Sequence, residues 1–564
     1  MKFEDFKYER PDFEDLSKKM NDILDKMEEC SDPKKFIELF NSINKHRGDI
    51  STMNTLASIR HTIDTSDEFY DGEDQYWNKQ GPLYEIIDQR LMRITVSKDF
   101  REELLKEIPE TYFLLSEQRL KTFDEKIIPL LQEENQLSSD YAKLKASCKV
   151  EFDNEVLNLP LLSAKCEDVN RDTRKKATDA KVKWLSENEE KFDNIYDNLV
   201  KVRQKIAEAL GFKNYIELGY LRMNRLDYNA EMVSNYRNQV KEYITPLAQS
   251  LFDKQKERLG TKELAYYDLP ISFLSGNPTP KGKKDDQVRA AVKMYHEMSP
   301  ETKEFIDVMD KQNLWDLESK TNKAGGGYCT FIYNYNVPFI FSNFNGTSGD
   351  VDVLTHEAGH AFQTYQSKWI SVPDCTFPTY ETCEIHSMSM EFFAWPWMEE
   401  FFKEDTNKYY YSHLASALQF LPYGTLVDHF QHVVYENPEW TIQQRKNAWR
   451  ELEKQYTPWK NYSGYPNLEG GSFWHMQGHI FASPFYYIDY TLAQVCALQF
   501  WVRLQKKDPK AWNDYLAICK VGGTKSFVNV VKLANLISPF EDGCLKEVAE
   551  TASQYLNNID DKSL

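Results

Sequence analysis

The sequence predicts a mainly α-helical protein with one small β element. Apolar residues recur at three- and four-residue steps across residues 12–210, with charged residues between them, which is the pattern of amphipathic helices. β-branched and aromatic residues are concentrated instead within residues 325–349, where they predict strands. Helical patterns resume near Val351 and continue, with interruptions, to the C terminus.

The N-terminal part of the chain supplies long helices. Its clearest amphipathic stretches are residues 99–108, 118–137 and 190–211. Gly211 ends the last stretch, at the position where a glycine commonly follows a helix C terminus. We interpret residues 1–165 as an N-terminal helical region and residues 166–564 as the catalytic region. Prolines and glycines within residues 263–287 indicate loops.

Composition and charge exclude several classes of protein. Hydrophobic residues make up 41% and charged residues 28% of the 564 residues, so the chain can bury a sizeable core. The net charge of −19 argues against nucleic-acid binding, which needs a basic surface. The nine cysteines include no C-x-x-C pair, which argues against a disulfide framework and a thiolate metal site. A charged N terminus and the lack of long apolar runs predict a soluble, cytoplasmic protein without a membrane segment.

Two β-rich runs form the predicted β element, Tyr328–Tyr335 and Val337–Phe344. Asn336 and Pro338 lie at or near their junction, and three glycines, Gly325–Gly327, precede the first run. This element lies directly before the segment that carries the clearest chemical signal.

That signal is an H-E-x-x-H motif formed by His356, Glu357 and His360. Residues four apart share one face of a helix, so both imidazoles can bind one zinc ion. Glu357 follows the first histidine and can act as a general base on a metal-bound water without binding the metal. Asp350 and Asp352 favour a helix start just before the motif, since acidic side chains stabilise the first turn.

A catalytic zinc site needs a third protein ligand and one open position. The segment from 378 to 391 reads as a second helix and offers four candidates. Glu384 and Glu391 are seven residues apart and share a face, and Glu381 and His386 compete with them. Spacing alone does not choose among the four.

The H-E-x-x-H segment and the helix that follows it resemble the thimet oligopeptidase and oligoendopeptidase F family of zinc peptidases. In that family a glutamate about 25 residues after the second histidine is the third ligand, and Glu384 lies 24 residues after His360. The resemblance therefore implies Glu384 as the ligand. Glu391 then either orients a ligating histidine or forms a buried salt bridge.

The same resemblance extends to the β element, where the glycine-rich loop, Cys329 and then Pro338–Phe344 are similar to the family's substrate-edge strand. An exposed strand edge beside the zinc can hold an extended peptide by main-chain hydrogen bonds. The substrate-binding residues that the resemblance implies are Gly326, Gly327, Phe339, Phe341, Asn343 and Tyr486.

A downstream segment, residues 469–490, resembles the family's His, Gly and Tyr segment. The resemblance implies His479, Tyr487 and Tyr490 as catalytic residues that stabilise the oxyanion of the tetrahedral intermediate. His475 is the alternative to His479, and Tyr486 is the alternative to Tyr487.

Membership of this family implies two largely helical lobes that enclose a deep channel, with the small β-sheet beside the H-E-x-x-H helix. It implies one zinc ion per chain and a zinc-dependent endopeptidase that hydrolyses internal bonds of short, unfolded oligopeptides. The alternative from another class is a zinc-containing peptide-binding protein without turnover. Glu357 argues against it, because a purely structural zinc site needs no base.

Overall fold

The computed structural model describes residues 1–564, apart from the side chain of Pro82. The chain divides into two units, each with its own set of internal contacts. Unit 1 contains Met1–Leu120, Thr279–Thr406 and Cys496–Ile537. Unit 2 contains Lys121–Pro278, Asn407–Val495 and Ser538–Leu564. The predicted division between residues 165 and 166 stays a prediction.

The N-terminal segment of unit 1 is helical because acidic side chains start its helices and apolar stripes bury them. Asp12, Asp32 and Asp67 each accept a hydrogen bond from backbone N–H groups of the first turn that they precede. Phe36, Phe40 and other apolar residues of this segment pack in one core cluster. The helices are α1 (Phe13–Glu29), α2 (Pro33–Ile63), α3 (Glu68–Val96), α4 (Arg101–Leu104) and α5 (Glu110–Lys121).

The next segment, in unit 2, contains a short antiparallel hairpin between helices. One turn of π-helix at Val240–Ile244 joins its last two helices. The elements are α6 (Ile128–Ala146), β1 (Val150–Phe152), β2 (Glu155–Leu157), α7 (Leu159–Lys165), α8 (Arg171–Glu187), α9 (Glu189–Ala209), α10 (Tyr215–Arg222), α11 (Ala230–Gln239) and α12 (Thr245–Arg258).

The chain then returns to unit 1 and forms a three-stranded sheet. The elements are α13 (Lys284–Met298), α14 (Pro300–Gln312), β3 (Trp315–Glu318), β4 (Tyr328–Ile332), β5 (Val337–Phe344), α15 (Gly349–Gln366), α16 (Tyr380–Phe393) and α17 (Met398–Phe402). The strand order is β3-β5-β4, with β3 parallel and β4 antiparallel to the central strand β5. The sheet packs against α15, the helix that follows it in the chain.

The remaining elements are helical. They are α18 (Thr406–Glu436), α19 (Ile442–Tyr456), α20 (Pro466–Glu469), α21 (Gly478–Ala482), α22 (Tyr487–Gln505), α23 (Ala511–Val521), α24 (Phe527–Leu533) and α25 (Cys544–Asn557). Among the described residues, no helix combines the length and the apolar character that crossing a lipid bilayer requires.

The predicted fold class, mainly α with a small sheet, is confirmed. The prediction of one helix over 118–137 was wrong, because α5 ends at Lys121 and the Asp124 side chain accepts a hydrogen bond that starts a new turn. The stretch at 99–108 yields only the short helix α4. The hairpin β1–β2 and strand β3 were not predicted.

Candidate functional site

The site in unit 1 depends on a close approach of α15 to α16. Gly359 lies inside α15, and a Cβ atom built on it would be 2.7 Å from both the carbonyl oxygen of His386 and the Cα of Ser387. Real Cβ atoms do not come that close to backbone atoms. A glycine is therefore required here, although it weakens a helix interior by about 1 kcal/mol relative to alanine.

This contact brings His356 and His360 of α15 together with Glu384 of α16. One ligand atom from each of the three lies within 4.8 Å of the others. Glu384 Oε2 is 3.3 Å from His356 Nε2 and 3.6 Å from His360 Nε2. Two imidazole nitrogens and one carboxylate oxygen are a donor set used by catalytic zinc sites, so these residues fit the metal that the sequence predicts.

Glu391, also on α16, lies behind the first histidine. Its Oε1 is 2.7 Å from His356 Nδ1, so Nδ1–H donates to the carboxylate, while Nε2 of the same ring lies on the side of Glu384. Burial alone would lower the pKa of His356, but hydrogen bonds to Glu384 and Glu391 raise it well above its usual value. Burial alone would raise the pKa of Glu384, but hydrogen bonds and charge from the two histidines hold it well below its usual value.

The other two candidate ligands, Glu381 and His386, are not members of this group. Glu381 is fully buried and accepts a hydrogen bond from Thr379 Oγ1 at 2.9 Å. His386 is fully buried as well, and its burial lowers its pKa to about 4. Its carbonyl oxygen accepts a hydrogen bond from the Tyr515 hydroxyl at 2.8 Å. Of the four residues that spacing left open, Glu384 is the one that groups with His356 and His360.

The helix that carries Glu357, α15, packs against the outer strand β4. Burial, and then the negative charge of Glu357, raise the pKa of the Cys329 thiol well above its usual value. Cys329 is the second residue of β4, which is an outer strand of the sheet. The peptide groups along this edge therefore run beside the H-E-x-x-H helix.

The segment expected at the strand edge divides between two strands. Cys329 lies on the outer strand β4, but the expectation was wrong for Pro338–Phe344, because β5 is the central strand. Phe339 and Phe341 are buried in the core, at 1% and 0% exposure, so their side chains pack inside the protein. The edge next to the motif is β4, which pairs with β5 from Tyr328↔Phe341 to Ile332↔Val337.

The direction of the backbone groups in β4 follows from its partner. The N–H of Ile340 donates to the carbonyl oxygen of Leu314 at 3.0 Å, on the β3 side of β5. Since backbone groups alternate in direction along a strand, Ile340 and Pro338 both turn away from β4. Their partners across the ladder, Cys329 and Phe331, therefore direct their N–H and C=O groups to the outer edge.

Asn343 shapes the glycine-rich loop that precedes β4. Its Nδ2 donates to the carbonyl oxygens of Ala324 and Gly326, each at 2.9 Å. Gly326 has a φ of +89°, a conformation that side-chain-bearing residues avoid. A Cβ atom built on the next residue, Gly327, would lie 3.4 Å from the Phe341 carbonyl oxygen.

The second predicted group lies in unit 2, where His479 of α21 faces three tyrosines. The centroid of its ring is 5.8 Å from that of Tyr486, 4.9 Å from Tyr487 and 5.9 Å from Tyr490. All four side chains are partly exposed. Burial, and then Tyr490, raise the pKa of Tyr487 to about 12, so this phenol keeps its proton at neutral pH.

His475, the alternative to His479, is a core residue. It is 1% exposed, its Nε2 is 2.8 Å from Asp193 Oδ1, and its ring stacks on Phe192. His475 is therefore held by Asp193 and Phe192, and His479 is the histidine beside the tyrosines.

Phe485 forces the turn between His479 and the tyrosines. Its φ of +69° is uncommon for a bulky residue and is unfavourable, so contacts with surrounding residues must stabilise it. Its N–H donates to Gln431 Oε1 at 3.0 Å, and its carbonyl oxygen accepts from Arg225 Nη2. A Cβ atom on Gly219 would lie 2.6 Å from the Phe485 ring, so a glycine fits there better than any residue with a side chain.

Sequence reasoning missed the residues that position these groups. Gly359 could have been found, because a glycine inside a helical pattern signals close packing. Arg225 and Gln431 carry no local signal, since each acts on Phe485, which is distant from both in the chain.

Comparison with known proteins gives consistent matches. A family model described as peptidase family M3 matches residues 164–550, and one described as the peptidase M3 N-terminal domain matches residues 3–123. A solved structure of Pz peptidase A with an inhibitor is 51% identical, has a TM-score of 0.92 and covers 100% of both chains.

Two curated relatives are more distant. Oligopeptidase PepF of Bacillus subtilis is 20% identical over 531 residues, which are 87% of this chain and 76% of that protein. An oligoendopeptidase F homolog of Borreliella burgdorferi is 24% identical over 352 residues, which are 60% of this chain. The latter match spans little more than half of that relative, at 57% of its length.

Proposed function

This chain belongs to peptidase family M3, and we propose that it is a zinc-dependent endopeptidase that cleaves internal bonds of short, unfolded oligopeptides. The observation that carries the proposal is the convergence of His356, His360 and Glu384, whose ligand atoms lie within 4.8 Å of one another. We also propose a cytoplasmic location, which rests on the composition of the chain.

His356 and His360 would hold one zinc ion through Nε2, and Glu384 through a carboxylate oxygen. When bound, zinc would polarise the scissile carbonyl group and favour deprotonation of a water molecule near neutral pH. Glu391 supports this role by accepting the Nδ1–H of His356, which fixes the ring and leaves Nε2 free of a proton.

Glu357 is the proposed general base. Its carboxylate accepts a proton from the attacking water and later donates that proton to the nitrogen of the leaving amine. The packing of its helix, α15, against β4 supports this role, because β4 carries the edge on which we place the peptide.

The outer edge of β4 is the proposed peptide-binding strand. Cys329 and Phe331 offer N–H and C=O groups to an extended peptide, which would bind by main-chain hydrogen bonds largely independent of its sequence. Gly326 and Gly327 keep the approach to this edge open, and Asn343 holds their loop in place.

His479, Tyr487 and Tyr490 are proposed to donate hydrogen bonds to the substrate oxygen on which negative charge develops. The family resemblance and their clustering in unit 2 support this role. Tyr486 is proposed to contact substrate, since it is partly exposed beside His479.

Hydrolysis of a short, internally quenched peptide tests the proposal, measured with and without 1,10-phenanthroline and beside an unfolded protein. We expect cleavage that stops with chelator and returns with added zinc, while the protein is spared. Zinc-containing protein that binds the peptide without cleaving it would instead support the peptide-binding alternative.

A further inference from the structure

The side chain of Gln477 bridges Tyr423 and His479 in unit 2. The Tyr423 hydroxyl donates to Gln477 Oε1 at 2.8 Å. At the other end of the amide, Gln477 Nε2 lies 2.9 Å from His479 Nδ1. These contacts connect α18 to the loop before α21, so a residue distant in the chain controls the environment of the histidine.

The amide group decides which nitrogen of His479 carries the proton. An amide Nε2 donates hydrogen bonds and cannot accept one, so Nδ1 must be the acceptor. A neutral imidazole with an unprotonated Nδ1 carries its hydrogen on Nε2. The Tyr423 hydroxyl donates to the carbonyl end of the amide, which places the NH₂ end on the side of His479.

The surroundings favour the neutral ring. Burial, and then the charge of Lys145, lower the pKa of His479 below its usual value. The other groups that face it are the phenol rings of Tyr486, Tyr487 and Tyr490. At neutral pH the ring is therefore uncharged and its tautomer matters.

We propose that Tyr423 and Gln477 are positioning residues that hold His479 as the Nε2–H tautomer, which makes Nε2 a neutral hydrogen-bond donor to a substrate carbonyl oxygen. The donor role rests on the proposed function, whereas the tautomer is a property of the resting protein. A general base at this position would need an unprotonated Nε2. The bridge from Tyr423 through Gln477 therefore makes His479 a hydrogen-bond donor and not a base.

Nitrogen NMR of the full-length chain labelled with ¹⁵N-histidine tests the tautomer directly. The protein has 11 histidines, and the signals of His479 are identified by their loss in His479→Gln. We expect a protonated Nε2 and an unprotonated Nδ1 in the wild type. A proton on Nδ1 would mean that the amide is reversed, and the proposal would be wrong.

Gln477→Glu reverses the polarity of the bridge, because a carboxylate accepts from Nδ1–H. The proton of His479 should move to Nδ1, and kcat should fall by about 10- to 100-fold with KM changed much less. Tyr423→Phe should lower kcat in the same direction by a smaller factor. An unchanged tautomer in Gln477→Glu would overturn the proposal.

Gln443→Glu is the matched control, since it introduces the same charge at an exposed amide on α19. It should leave both the His479 spectrum and kcat unchanged, and a fall in kcat equal to that of Gln477→Glu would assign the effect to charge alone. If the wild type does not hydrolyse peptides, the proposed function fails, but the NMR measurement still decides the tautomer.

Discussion

The carbonyl oxygen of His386 lies 2.7 Å from the position that a Cβ atom on Gly359 would occupy. This relationship sets the separation between α15 and α16. His360 follows Gly359 in the chain and Glu384 lies two residues before His386, so the separation of the two helices also sets the distance between these two proposed ligands.

Gly359→Ala should therefore damage the metal site as well as the core. The added methyl group meets backbone atoms that cannot rotate away, and overpacking of this kind costs about 1–3 kcal/mol. We expect a lower free energy of unfolding and weaker zinc binding, measured by denaturant titration and by competition with a chelating dye. Gly72→Ala in α3 is the control, because its Cβ would meet no described atom within 4 Å. Equal effects of both substitutions would refute the packing argument.

Glu357→Gln should separate metal binding from turnover. The amide keeps the size of the side chain but cannot accept a proton, so we expect normal zinc content and a loss of about 10²- to 10⁴-fold in kcat. Zinc analysis and steady-state hydrolysis of the quenched peptide measure the two effects. The exposed Glu399→Gln serves as a control for the charge change. Turnover near the wild-type rate would remove Glu357 from the mechanism.

Glu391→Ala should weaken zinc binding by about 10- to 100-fold, since His356 loses the acceptor that orients it. Glu391→Gln retains one acceptor oxygen and should fall between the alanine variant and the wild type. Zinc affinity is measured by competition with a chelating dye for each purified variant. If all three proteins bind zinc equally, Glu391 is only a buried ion-pair residue.

Acid should weaken the buried ion pair between Arg47 and Asp374. Burial of Asp374 raises its pKa, but Arg47 outweighs this effect and holds the pKa at about 2, below its usual value of 3.8. The pKa is lower in the folded state, so the stabilisation is complete above about pH 4 and is lost as the pH falls towards 2.

Arg47→Met should thus cost about 3–5 kcal/mol at neutral pH, because Asp374 stays buried without its main partner. The difference in unfolding free energy from the wild type should shrink between pH 4 and pH 2, as measured by denaturant titration at each pH. Lys19→Met, which breaks an exposed pair with Asp15, should cost less than about 1 kcal/mol. A difference for Arg47→Met that is constant with pH would contradict the assignment to Asp374.

The elements that depend on local sequence could be predicted. The H-E-x-x-H helix, the strand ending at Phe344 and the helix end at Gly211 follow from periodicity and glycine placement, and the structure contains each of them. The prediction of Glu384 as third ligand needed the family resemblance. Glu384 and Glu391 are seven residues apart on one helix, and spacing alone cannot distinguish them until a second helix packs against that face.

The features that depend on distant contacts could not be predicted. Strand order is one of them. The strand β3 contains only Trp315–Glu318, and it pairs with β5 rather than with β4, the next strand in the chain. The other is the corner at Phe485, where the sequence offers an ordinary aromatic residue and the left-handed conformation depends on Arg225 and Gln431.

The alternating backbone of β4 also has a consequence for isotope exchange with solvent. The amide of Thr330 faces β5, while the amides of Cys329 and Phe331 face outward, so neighbouring amides of one strand should take up deuterium at different rates. A bound extended peptide would protect every second amide and leave those between unchanged. The pattern of protection would then record the register in which the peptide binds.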